Sequence, residues 1–189
     1  MRKIVSHLIM TLDGVTKFQA VADAIMRRRN AEVLSDFHAR VAEEDAMLLG
    51  RKTYQEWADY WPTSDYQPFA DHINGVTKYV ASKTLDAAPW ADRDNATVLE
   101  GELLDGVAEL KRLPGRNIGV HGSPTLVEAL LHAGLLDELR LEIYPVIAGR
   151  GDRLFHEGRA SRKLRLLDSK TSSTGVVILT YQPGEAAGG

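Results

Sequence analysis

The chain of 189 residues has no cysteine. That removes disulfides, thiolate metal sites and cysteine nucleophiles, and it fits a reducing compartment. It has no stretch near the ~20 apolar residues that a membrane-spanning helix needs. Nor is there an excess of positive charge: 23 Lys and Arg stand against 26 Asp and Glu, a formal net charge of -3. A general nucleic-acid binder would be basic, so that class is disfavoured. Arg27-Arg28-Arg29 is the only dense basic run, and it reads as a solvated surface. The histidines, His7, His38, His72, His121, His132 and His156, show no metal-ligand spacing. No nucleophile elbow accompanies them, so a Ser-His-Asp hydrolase is not indicated.

What is present is the composition of one soluble core, with 44% hydrophobic residues and 26% charged. Two cations precede apolar residues at the N-terminus, but His7, Thr11 and Asp13 interrupt the run and no small-residue cleavage site follows. The segment reads as a first strand rather than a signal peptide, and the expected location is the cytoplasm. Ile4 to Met10 is apolar at both parities, as in a strand covered on both faces. A helix over roughly Asn30 to Glu44, a buried strand at Ala46–Leu49 and a helix from Arg51 follow. Further strands are expected at Val76–Ala81, Ala96–Leu99 and Asn117–Val120, with a helix over Glu102–Arg112. Leu139, Leu141 and Ile143 alternate with Arg140, Glu142 and Tyr144, the pattern of a half-buried strand. A C-terminal hairpin around Ser173-Thr174-Gly175 and a disordered tail from Gly184 to Gly189 complete the chain. The fold class is a single α/β/α domain over residues 1–183, its sheet mostly parallel with antiparallel C-terminal strands.

Two junctions carry the functional signal. Asn117 to Val120 leads into His121-Gly122-Ser123-Pro124-Thr125-Leu126, where Ser123 suits an N-cap and Pro124 the first helical position. Gly134 stands where a left-handed C-terminal cap belongs. Ala46-Met47-Leu48-Leu49 leads into Gly50-Arg51-Lys52-Thr53, placing two cations where the helix dipole is already positive. An anion bound at each helix start would reverse that unfavourable sign. Two such starts point to an extended ligand with separated phosphates, such as a dinucleotide.

Taken in order, several segments resemble the dihydrofolate-reductase-like fold, and within it the riboflavin-biosynthesis reductase branch (the RibD C-terminal domain of the bifunctional deaminase/reductase). They are Thr11-Leu12-Asp13-Gly14, Leu48 to Tyr54, Tyr60-Trp61-Pro62, Val80-Ala81-Ser82, Gly122 to Leu126, Gly134 to Leu139, and Pro145 to Phe155. The resemblance runs from Ile4 to Tyr181. It implies NADPH as cofactor, with Gly50, Arg51, Lys52, Thr53 and Ser82 holding the adenosine side and its 2′-phosphate. Gly122, Ser123 and Thr125 would cradle the pyrophosphate, with Gly119 and Val120 beside the nicotinamide. It also implies a homodimer and a small-molecule substrate, reduced as 5-amino-6-(5-phosphoribosylamino)uracil or dihydrofolate is. Partners that are nucleic acids or membranes are not expected.

The protein's own chemistry in such a site is to orient the reactants and supply a proton. Asp13, at the mouth of the first strand, is the catalytic acid or substrate-binding candidate; its other reading is a turn-forming Asp-Gly. Asp36 lies on the helix that carries an acidic residue in dihydrofolate reductases, though its spacing from Gly50 departs from that pattern. Trp61 could wall the substrate pocket or serve core or interface packing. His121 adjoins the cofactor turn. The segment from Val15 to Arg29 carries Lys17, Phe18, Gln19 and Asp23, any of which could reach a substrate. The alternative to a reductase is a non-catalytic nucleotide-binding module, or a purely structural homo-oligomer with both glycine junctions empty.

Overall fold

A computed structural model describes residues 1–16, 21–158 and 161–186. Eight strands form one sheet in the order β4-β3-β2-β5-β1-β6-β8-β7. They are β1 (Ile4–Thr11), β2 (Glu44–Gly50), β3 (Thr77–Ala81), β4 (Ala96–Val98), β5 (Asn117–Val120), β6 (Glu138–Tyr144), β7 (Arg162–Thr171) and β8 (Val177–Ala186). The first six strands in that order pair parallel, while β8 runs antiparallel to both β6 and β7. This is the dihydrofolate-reductase-like α/β architecture, as expected. The strand β8 continues to Ala186, opposite Arg162, so residues 184–186 of the expected tail are strand. A partner strand of equal length supplies the ladder that Pro183 and Gly184 would not form alone. Residues 187–189 lie outside the described residues.

The helices divide between the two faces. α5 (Leu103–Arg112) and α6 (Pro124–His132) cover one face. There Ile4, Leu8, Ala46, Leu48, Ile118, Val120, Leu139 and Leu141 pack against Val107, Leu110, Leu126 and Leu130. That layer is largely apolar; Ser6, which shares the β1 face of Ile4 and Leu8, is a buried polar exception. α2 (Ala31–Val41), α3 (Arg51–Tyr60) and α4 (Phe69–Gly75) cover the other face, with the short α1 (Ala22–Met26) beside them. On that side Phe37, Val41, Tyr54, Phe69 and Ile73 meet Met47, Leu49 and Val80. The α6 helix is bounded as its sequence suggests: Ser123 is the N-cap, Pro124 follows, and Gly134 adopts φ 71° just past the end.

The second face differs in kind from the first. It carries buried Glu44, His7, Arg140, Glu142 and Tyr144. Alternation along β6 suggests a half-buried strand, yet its polar residues are as buried as its apolar ones. Each finds a partner: Arg140 reaches Glu138 at 2.8 Å and Glu43 at 3.0 Å, and Glu142 reaches His7 at 2.9 Å. Period-2 patterning separates the two faces of a strand, but whether the polar face meets water depends on what packs over it. Gly119 on β5 completes this layer, because a Cβ there would fall inside the Glu44 carboxylate.

Gly119→Ala should therefore destabilise the fold by about 1–3 kcal/mol, the usual range for overpacking. Urea denaturation measures it; Gly134→Ala, with open space around its Cβ but a positive φ, separates a steric from a backbone effect.

Candidate active site

Neighbouring strands β2 and β5 end side by side, and both chains turn directly into helices. Gly50 N donates to Gly122 O at 3.2 Å. A Cβ on Gly50 would lie 2.8 Å from Ser123 Oγ, and one on Gly122 (φ 149°) 2.9 Å from Thr53 Oγ1. The two glycine junctions are thus interlocked, each closing on the other's hydroxyl residue. They form one site, in keeping with the single extended ligand to which the two helix starts point in the sequence. No side chain caps either α3 or α6, and the Ser123 hydroxyl is not used as a cap. On α6, Pro124 has no N–H and Leu126 N donates to Ser123 O at 2.9 Å, so the Thr125 amide and the first-turn amides of α3, at the positive dipole ends, are what the helix starts offer a ligand.

A cleft of ≈ 600 Å³ opens over this junction, lined by Gly50, Arg51, Lys52, Thr53, Ser123 and Thr125. Its far wall comes from the segment after β6 and contributes Asp152, Arg153 and His156. His156 Nδ1 lies 3.1 Å from Glu128 Oε2 of α6, which ties that wall to the helix. Ser82 lies next door. Its Oγ accepts from the amides of Thr84 and Leu85, both at 3.1 Å, and it lines a depression that shares Ala81 and Leu103 with the cleft.

Thr53, Glu56 and Pro124 line both the cleft and a second, apolar chamber of ≈ 310 Å³. Phe37, Trp57, Trp61 and Phe69 wall the chamber, with Phe37 and Trp61 each packed edge-on to Phe69 at 4.9 Å. Trp61 is thus a pocket wall. His7, within β1, and His121, just past the end of neighbouring β5, line it too, with their rings 6.0 Å apart and nearly parallel at 16°. Each imidazole is held by its own buried carboxylate: His7 Nε2 by Glu142 Oε1 at 2.9 Å, and His121 Nε2 by Glu44 Oε2 at 2.9 Å. Tyr144 donates to Glu142 Oε2 at 3.1 Å. Burial lowers the His7 pKa below the ordinary histidine value against the pull of Glu142. Burial alone would raise Glu142, but the His7 bond, the charges of His7 and Arg29, and the Tyr144 hydroxyl outweigh it and hold the carboxyl low.

Three expectations need correction. The Asp13 carboxylate accepts from Thr11 Oγ1 at 2.6 Å and from the amides of Ala148 and Gly149 at 3.0 and 2.9 Å. The Thr11 hydroxyl and these two amides lower its pKa to about 2. Such a carboxyl carries no proton to donate near neutrality; it ties the first loop to the segment after β6. Asp36 faces away from the chamber and is paired with Arg40 and Lys170, each at 2.5 Å. Its neighbour Phe37 lines the chamber instead, because α2 turns about 100° per residue and presents 37 rather than 36. Gly119 and Val120 line neither cavity: Val120 is in the apolar layer and Gly119 makes room for Glu44.

Other residues had no visible signal, or one that was misread. Arg29 belongs to the basic run that suggests a solvated surface, yet it lines the chamber with Cζ 4.8 Å over the Phe37 ring. Asp23 is exposed on α1, and Lys17, Phe18 and Gln19 lie outside the described residues. His7 could have been found: a histidine inside a strand covered on both faces must be buried, and a buried imidazole needs a partner on an adjacent strand.

The donor set suits a phosphorylated dinucleotide. Arg51, Lys52 and Arg153, three hydroxyls and uncapped helix starts surround a floor where glycines let the backbone approach. The model of the RibD C-terminal domain family matches residues 2–178. The Bacillus subtilis (strain 168) protein YyaP, itself called uncharacterized, is 29% identical over 196 residues, covering 95% of this chain and 94% of that protein. A Shewanella sp. PV-4 structure provisionally assigned to riboflavin biosynthesis superposes with TM-score 0.78 at 22% identity, covering 98% of this chain and 100% of that one. Dihydrofolate reductase from Enterococcus faecalis, complexed with NADP(H) and RAB-propyl, gives TM-score 0.61 at 13% identity, with 97% of each chain covered. No helix among the described residues is long and apolar enough to cross a membrane.

Asp13→Asn should speed amide hydrogen exchange at Ala148 and Gly149 while leaving exchange in β1 and β6 unchanged. Unchanged protection at both amides would show that the carboxylate does not hold the loop.

Proposed function

The chain belongs to the RibD C-terminal domain family, and we propose that it is an NADPH-dependent reductase of a small pterin-like or pyrimidine-like heterocycle. The observation that carries this reading is the continuity of the polar cleft with the aromatic chamber through Thr53, Glu56 and Pro124. One ligand with phosphates at one end and a flat ring at the other fits both. Gly50, Thr53, Gly122, Ser123 and Thr125 hold its pyrophosphate region, and Arg51 and Lys52, with Ser82 beside them, its further phosphate. A cation pair favours the phosphorylated cofactor over NADH, because charge-assisted bonds to phosphate are strong.

When bound, NADPH supplies the hydride. The chain's residues orient the partners and exclude water: Trp57, Trp61 and Phe69 stack around a planar ring, and the interlocked glycines admit the cofactor backbone closely. No carboxylate of α2 lines the chamber, since Asp36 is held by Arg40 and Lys170. That weighs toward a pyrimidine-like substrate, reduced in the manner of 5-amino-6-(5-phosphoribosylamino)uracil, over a folate. The reading places the protein in the cytoplasm as a homodimer. Support for pairing is the sheet edge, where β7 exposes Leu166 and Leu167 (50% and 43%).

Calorimetric titration should find NADPH bound more tightly than NADH, with Arg51→Ala weakening NADPH by about 10-fold or more and abolishing the preference. Binding without turnover of any heterocycle would leave the non-catalytic module; no binding of either nucleotide would sink both readings. Sedimentation velocity should give a dimer that Leu166→Asp with Leu167→Asp converts to monomer.

A further inference from the structure

Hydride transfer to a C=N bond leaves a nitrogen that must gain a proton, and Asp13 cannot provide it. The aromatic chamber holds a better group. Among the described residues its walls contain three buried nitrogens with no hydrogen-bond partner: His7 Nδ1, Arg29 Nε and Trp61 Nε1. The last two are fixed donors, whereas the first is the only one that can both take up and release a proton. The His7 side chain is 3% exposed, and its spare nitrogen has no partner among the described residues.

The geometry also settles the tautomer. Glu142 already accepts the Tyr144 hydroxyl on Oε2, and an ionised carboxylate has only acceptor sites. The Nε2 atom of His7, 2.9 Å from Oε1, is therefore the donor. In the neutral ring the proton sits on Nε2 and Nδ1 carries a lone pair. When Nδ1 is protonated, Glu142 stabilises the resulting imidazolium from the opposite side of the ring.

We propose that His7 is the catalytic proton donor of this site, with Glu142 and Tyr144 as the residues that position it; the proposal rests on the reductase reading above. The hydride bonds to the substrate carbon and the C=N π pair moves onto nitrogen. That pair takes the proton from His7 Nδ1, leaving neutral His7 to recover one from solvent. The groups that face His7 set when it can act. Glu142 on β6 and Glu44 on β2 favour the charged ring, while burial and His121, just past β5, oppose it. Arg29, ahead of α2, lines the same chamber, as do Glu56 of α3 and Tyr66. With the pKa displaced downward, the rate should rise as the pH falls below the ordinary histidine value of 6.5.

The first test needs no substrate. Nitrogen-15 NMR of histidine-labelled protein, assigned by His7→Gln, should show His7 near neutral pH with Nε2 protonated and Nδ1 bare, and Nδ1 should titrate on acidification. A ring protonated only on Nδ1, or one that never titrates, overturns the proposal whatever the enzyme does. The second test follows NADPH oxidation against pH, with dihydrofolate and 5-amino-6-(5-phosphoribosylamino)uracil as acceptors. His7→Gln should bind NADPH as the wild type does yet lose about 100-fold or more in turnover, together with the acid-side rise. Glu142→Gln should move that rise to lower pH. An acid-side rise that persists in His7→Gln overturns the proposal alone. A wild type that neither binds NADPH nor reduces either acceptor overturns the reductase reading and, with it, the reaction that this proton would serve.

Discussion

The arrangement turns on the contact between two glycine junctions, Gly50 against Ser123 and Gly122 against Thr53. β2 and β5 are sheet neighbours but far apart in sequence, since the chain runs outward through β3 and β4 before β5 inserts between β2 and β1. Helices that start from two adjacent strand ends must share space where they begin. Leaving out two Cβ atoms lets them do so. In open α/β sheets, ligands bind where the strand order reverses, outside the carboxyl ends of the strands. The cleft and the chamber both open at this place.

The sheet's two faces divide the remaining work. One is a largely apolar layer under α5 and α6. The other gives up apolar area in its middle to Glu44, His121, His7, Glu142 and Arg140. Buried charges of this kind seldom add stability over well-packed apolar residues, but removing one partner leaves the other uncompensated. Such a layer is better understood as chemistry held rigidly in place. Tight pairing with carboxylates on neighbouring strands keeps both imidazoles oriented beside the aromatic walls.

Legibility in the sequence followed the range of the interactions involved. Strand and helix positions, the capped start of α6, the left-handed Gly134 and the anion-suited helix starts all depend on residues within a few positions of each other. Asp13 looked catalytic because Asp-Gly after a strand marks the mouth of the fold, but its partners at Ala148 and Gly149 are 135 and 136 residues away. Asp36 looked substrate-facing because its helix was correctly identified. The choice between positions 36 and 37 depends on how that helix is rotated, which Arg40, Lys170 and Phe37 decide together. Gly119 had a local reading as a cofactor glycine and a nonlocal cause in Glu44, which no neighbour in sequence could reveal.

The sequence by itself determined the class of fold, the order of elements, and a phosphate-suited pair of helix starts, because hydrophobic period, caps and turn residues act locally. The tertiary structure alone decided how the two starts interlock, that an aromatic chamber adjoins them, and that the polar side of β6 is buried. It also decided that His7, and not Asp13, lines that chamber. These depend on which strands become neighbours and how each helix is rotated, and both are set by contacts between residues distant in the chain.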